Sequence, residues 1–254
     1  IIFFILEKSI IIGEMDGIVA VYFTVCVLIS YQLFKKEIIF KNKNKKFDLF
    51  SERNIFYLFA ILNFSFLSIL KKEGVFYLII AFLGVYITNL ILSKNKKIYF
   101  DKILVFLISI GTFLLWEIYI YKYEVNLSNY PGVSILFDGG FFSHFFNRVS
   151  EIRNIFIISG HIFTTKAFII SIIIAVFLMT LNFSKIEKTN THEMMILYLI
   201  LIVFIFYTLF IFFIYTITSY DLLWHLKTSA SRVMLPISFF ISYWSLVNCQ
   251  DNLN

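Results

Sequence analysis

The chain has 254 residues, 60% of them hydrophobic and 33 of them Phe, with 15% charged and a net charge of +6. Soluble domains average about 25% charged residues, so this composition excludes an ordinary water-soluble core and indicates a membrane protein. The positive balance does not point to nucleic acid, because the lysines fall in short clusters between apolar runs, where they set membrane topology.

The chain opens at Ile1 in the apolar run "IIFFILEKSIIIG", without the basic start of a signal peptide, and reads as a fragment of a longer protein. A helix crosses a bilayer core about 30 Å thick with roughly 20 mostly apolar residues. Apolar segments follow at 17–34, 54–70, 75–92, 103–121, 164–184, 194–218 and 233–247. They predict seven crossings in an all-α polytopic bundle, a single transmembrane domain over 1–254. The segments at 54–70 and 233–247 are short for a span, which leaves open tilted pairs or a re-entrant piece. Pro131 and Pro236 are the only prolines, so few helices are forced to kink. Cys26 and Cys249 make no metal-ligand spacing and fix no redox compartment.

Lysine and arginine counts orient the spans. The connection 35–53 carries seven, 93–102 carries four and 185–193 carries two. These alternate along the chain and share the cytoplasmic side. The opposite face then holds "GEMDG" at 13–17, "KKEG" at 71–74, the long connection 122–163 and "DLLWHLKTSASRVMLP" at 221–236. The Phe-rich 122–163 stretch, with Arg148, Glu151 and Arg153 at helical spacing, suits a helix lying in the membrane interface.

Ionisable groups are costly at mid-membrane and cheap at its edges, so what informs is their convergence on one face. Glu14 and Asp16, two residues apart where a long span begins, suit a divalent cation or proton abstraction from an attacking hydroxyl. They equally suit an acidic cap at a helix N-terminus. Lys72, in a tight turn between two spans, is placed to meet a phosphate, or is simply solvated. His225, Ser229 and Arg232 recur at intervals of four and three and share a face if helical. An Arg fork bonds two phosphate oxygens and a neighbouring His adds a donor. The other reading of that face is an aromatic and basic anchor at headgroup level. Asp221 and Lys227 read as solvated edge residues.

Three stretches also resemble, in order, motifs of a known superfamily. "GEMDGIVAVYFTVCVLI" resembles a G-x-x-D-x-x-x-A start of a membrane span. "LKKEGVFYLIIA" resembles K-N-E-G before an apolar run, with Lys72 where the pattern has Asn. "WHLKTSASRVMLP" resembles W-H-L-x-T-S-x-x-R-x-L-x-P. Together, over residues 13–236, they resemble the later part of GT-C-type integral membrane glycosyltransferases, which include the protein O-mannosyltransferases and the lipid A aminoarabinose transferases. The resemblance implies an inverting transferase in the bacterial plasma membrane. It would take a sugar from a polyprenyl-phosphate donor on the extracytoplasmic side, among membrane lipids and without nucleic acid. Asp16 with Glu14 would be the catalytic carboxylates present, and Arg232, His225 and Lys72 the donor-phosphate side. The usual catalytic carboxylate would precede Ile1, and a divalent metal, with Asp16 as a ligand, is used in some branches. A polysaccharide polymerase or ligase is the alternative enzyme. A transporter fits less well, since the charges hug span edges rather than span centres.

Overall fold

The computed structural model describes residues 15–35, 52–71, 73–92, 100–122, 140–183, 191–218 and 221–251. Among them are nine helices and no strand. In chain order these are α1 (Met15–Lys35), α2 (Glu52–Leu70), α3 (Gly74–Leu92), α4 (Phe100–Lys122) and α5 (Gly140–Ser150). They continue with α6 (Ile152–Phe163), α7 (Lys166–Phe183), α8 (Thr191–Ile217) and α9 (Leu222–Asp251). Helices satisfy every interior backbone group locally, which hydrocarbon requires. The Ile, Leu and Phe runs supply the apolar surface. Six helices are long and apolar enough to cross a membrane, or seven spans if α6 and α7 count as one broken span bent by 66°. The expected all-α polytopic bundle is therefore the observed fold.

The spans α1 and α9 form the interior: over an 18-residue apolar stretch of each, 67% and 61% of the residues are buried, against 22% for α2 and 11% for α4. Phe23 of α1 shows why the chain is rich in Phe. It is fully buried and meets Tyr77 of α3, Tyr207 of α8 and Phe240 of α9 at ring-centroid distances of 6.0, 5.6 and 6.1 Å. Lipid tails give apolar helices little reason to associate, so close packing does the work. Small residues permit it: Ala20 of α1 and Ala167 of α7 pack with Leu235 of α9 in one buried cluster. A Cβ on Gly84 of α3 would lie 2.6 Å from Val203 Cγ2 of α8. The outer pair α2 and α4 turns Leu58, Leu62, Leu107, Leu114 and Leu115 outward, where lipid covers them. At one end this pair is tied by Arg53 to Asp101 at 2.8 Å, with the Tyr57 hydroxyl bonded to the same carboxylate.

Two expectations are corrected. The last apolar run, expected as a short span at 233–247 with the charged motif outside it, is the lower part of one 30-residue helix that begins at Leu222. Asp221 starts it by accepting the Trp224 N–H at 2.8 Å, so helix forms across the charged stretch. Pro236 sits inside this helix and leaves the Arg232 carbonyl without its helical donor. Next to that gap, Tyr207 of α8 donates its hydroxyl to the Val233 carbonyl.

The second correction concerns the helix expected across Arg148, Glu151 and Arg153. It is broken at Glu151, whose φ of −87° and ψ of 96° are extended. The three side chains do not share a face: Arg148 turns toward α8, while Glu151 and Arg153 are exposed. Residues 123–139 of that connection lie outside the described residues.

Candidate functional site

Asp16 stands in the first turn of α1, where the helix dipole favours a carboxylate, and is 8% exposed. Its Oδ1 accepts from Lys71 Nζ at 2.6 Å, and its Oδ2 faces Arg232 Nη1 at 3.8 Å. One carboxylate thus draws together a cation from the α2–α3 turn and a cation from the third turn of α9. Residues 16, 71 and 232, far apart in the chain, meet at one end of the bundle.

The α2–α3 turn is held by backbone. Gly74 donates its N–H to the Lys71 carbonyl at 2.7 Å, and the Glu73 carbonyl accepts from Phe76 and Tyr77 at 3.0 and 3.1 Å. A Cβ on Gly74 would lie 2.0 Å from the Leu67 carbonyl oxygen of α2, so only glycine fits without moving backbone. Gly74→Ala is expected to lower stability by about 1–3 kcal/mol through overpacking. It would also draw Lys71 away from Asp16. A fall in the thermal unfolding midpoint of the detergent-solubilised protein checks this; an unchanged midpoint contradicts it.

Helix α9 carries the other side. His225, Ser229 and Arg232 lie in one helix at the expected spacing. Ser229 is buried and spent on packing, its Oγ lying 2.8 Å from the Tyr215 hydroxyl of α8. His225 sets its ring edge-on to Tyr215 at 5.0 Å. Arg148 of α5 donates to the Tyr215 carbonyl at 2.9 Å, at the end of α8 where carbonyls lack helical partners. Burial pulls the Arg148 guanidinium below its usual value while Asp221 opposes that, and the group stays charged. Arg148, Arg232 and Glu73 all lie within electrostatic reach of His225. The interior next to this cluster is capped by Tyr77 and Tyr207, stacked at 5.6 Å and 10°.

Of the site residues expected from sequence, Asp16 and Arg232 are in contact and His225 is two turns from Arg232. Glu14 and Lys72 lie outside the described residues. The lysine seen on Asp16 is Lys71, which the sequence placed in the turn without choosing it. Asp221 caps α9 and Lys227 is exposed. Among the described residues no three His, Cys, Asp or Glu side chains converge on a metal site. Both Asp16 oxygens face cations, so this carboxylate as arranged does not fit a divalent ion. Comparison with protein-family models, with curated proteins and with solved structures finds no match.

Proposed function

We propose that the protein is a membrane glycosyltransferase that moves a sugar from a polyprenyl-phosphate-linked donor to an acceptor on the extracytoplasmic side. The observation that carries this reading is the Lys71–Asp16–Arg232 cluster at the membrane edge. The phosphate of a lipid-linked sugar sits at headgroup depth, with its tail in the hydrocarbon. As the glycosidic bond breaks, the leaving phosphate gains charge, and cations already fixed in place stabilise that charge without reorganising. Asp16 fixes Lys71 and Arg232, and His225 adds a hydrogen-bond donor two turns along α9. The experiment is direct. Membranes containing the full-length protein are given a panel of radiolabelled undecaprenyl-phosphate hexoses and pentoses. Transfer from one donor with release of undecaprenyl phosphate supports the reading. Extension of an undecaprenyl-pyrophosphate glycan, with no transfer from any monophosphate donor, makes the protein a polymerase instead.

The side of the membrane has its own test. The lysine-rich connections join the helix ends opposite Asp16, and retained lysines mark the cytoplasm. With Cys26 and Cys249 replaced, Lys227→Cys is expected to react with a membrane-impermeant maleimide in intact cells. Glu52→Cys is expected to react only after permeabilisation. The reverse pattern would put the cluster in the cytoplasm and remove the extracytoplasmic donor.

A further inference from the structure

We infer that α5 and α6 form an elbow docked on the lipid headgroup layer at the Asp16 end of the bundle, an inference independent of sugar transfer. Each helix divides its residues between the protein and an open side. On α5, Phe145 meets Phe213 of α8 at a ring-centroid distance of 6.1 Å and Arg148 bonds the Tyr215 carbonyl, while Phe146 is 63% exposed. On α6, Ile158 and Ile162 are buried where the helix packs on α9, while Ile152 and Phe156 are 68% and 72% exposed. Ile152 and Phe156 are four residues apart, as are Ile158 and Ile162, so α6 carries one apolar stripe inside and a second one outside. Arg153, also exposed, leaves the helix about 100° round from Ile152. An apolar outer stripe with a basic residue beside it is the pattern of a helix lying in a membrane interface.

What covers the outer stripe follows from how the elbow is attached. Thr164 and Thr165 join α6 to α7, whose Ile169 and Ile173 are exposed on a lipid-facing side. The 18 residues of α7 rise about 27 Å, close to the bilayer core of about 30 Å, so α7 crosses with little tilt. The 66° bend then lays α6 nearer to the membrane plane than to its normal. At the far end of the elbow, Arg148 reaches the last turn of α8, at Tyr215, whose ring packs on His225. Trp224, next to His225, is exposed in the first turn of α9, and exposed tryptophans favour headgroup depth. Both ends hold the elbow at that depth, and its apolar stripe continues the lipid-facing surface of α7. The occupant is therefore the bilayer itself, with Phe146, Ile152 and Phe156 in the outer acyl region and Arg153 among the phosphates. On this account α7 crosses the membrane alone and α6 is no part of a span.

The test places single nitroxides on the full-length protein, with Cys26 and Cys249 replaced, in nanodiscs of phosphatidylethanolamine and phosphatidylglycerol. Ile152→Cys, Arg153→Cys and Phe156→Cys report on α6. Ile173→Cys in α7 and Lys227→Cys in α9 serve as lipid and water references, and all five positions are exposed. Collision with oxygen, which partitions into lipid, is compared with collision with a water-soluble nickel chelate. At 152 and 156 oxygen is expected to exceed nickel, at a depth of about 5–10 Å and shallower than at 173. At 153 nickel is expected to dominate. Nickel dominating at 152 and 156 would overturn the docking by showing that the stripe faces water. A depth equal to that at 173 would overturn it in favour of a broken span. Weak collision with both reagents would mean that protein covers the stripe, and spin–spin broadening would identify that protein as a second copy of this chain; either result also overturns the inference.

Discussion

Arg232→Ala is expected to lower sugar transfer about 100- to 1,000-fold, the usual effect of removing one preorganised donor from a developing oxyanion. Insertion and folding should survive, because the Arg232 side chain is 45% exposed and its link to Asp16 spans 3.8 Å. A pair at that distance with its cation exposed contributes about 0–1 kcal/mol. Arg232→Lys keeps the charge and loses the planar fork, so partial activity separates charge from bidentate geometry. Transfer unchanged in Arg232→Ala would remove this residue from the site.

The second large effect belongs to Asp16. Asp16→Ala leaves Lys71 at the membrane edge without its carboxylate. Breaking a fully buried pair costs about 3–5 kcal/mol. Here the Lys71 side chain keeps 33% exposure, which reduces the expected loss to roughly 2 kcal/mol. Asp16→Asn keeps the shape and removes the charge. It is expected to lower transfer about 100-fold by letting both cations drift, since misplacement by about 1 Å carries a penalty of that size. Thermal unfolding in detergent and transfer rate, measured on the same preparations, separate the two effects.

The bundle was legible because hydrocarbon leaves a chain few options, and runs such as Gly74–Ile91 in α3 or Leu197–Ile217 in α8 state their spans in composition alone. The start of α9 was not legible. A charged stretch before a short apolar run leaves its helix conditional, and it is the cap by Asp221 and the packing of Ser229 on Tyr215 that favour helix there. The break at Glu151 was hidden for a related reason: helical spacing of Arg148, Glu151 and Arg153 says nothing of a backbone that turns extended between them.

The site divided in the same way. Orientation counting put "GEMDG", "KKEG" and the Arg232 motif on one face, and Asp16, Lys71 and Arg232 do meet. Which lysine of the turn reaches Asp16 depends on backbone direction after α2, which no spacing rule supplies. Arg148 and Tyr215 carried no motif at all, and a contact across 67 residues exists only in three dimensions.

The most direct measurement compares binding of undecaprenyl phosphate and of undecaprenol to the full-length protein in nanodiscs. The two lipids share a tail and differ in the phosphate alone. Preferential binding of the phosphate, reduced at least about tenfold in Arg232→Ala and in Lys71→Ala, is the predicted result, consistent with loss of a charge-assisted hydrogen bond. Equal binding of the two lipids, or a preference untouched by either substitution, would contradict a phosphate site at Lys71, Asp16 and Arg232.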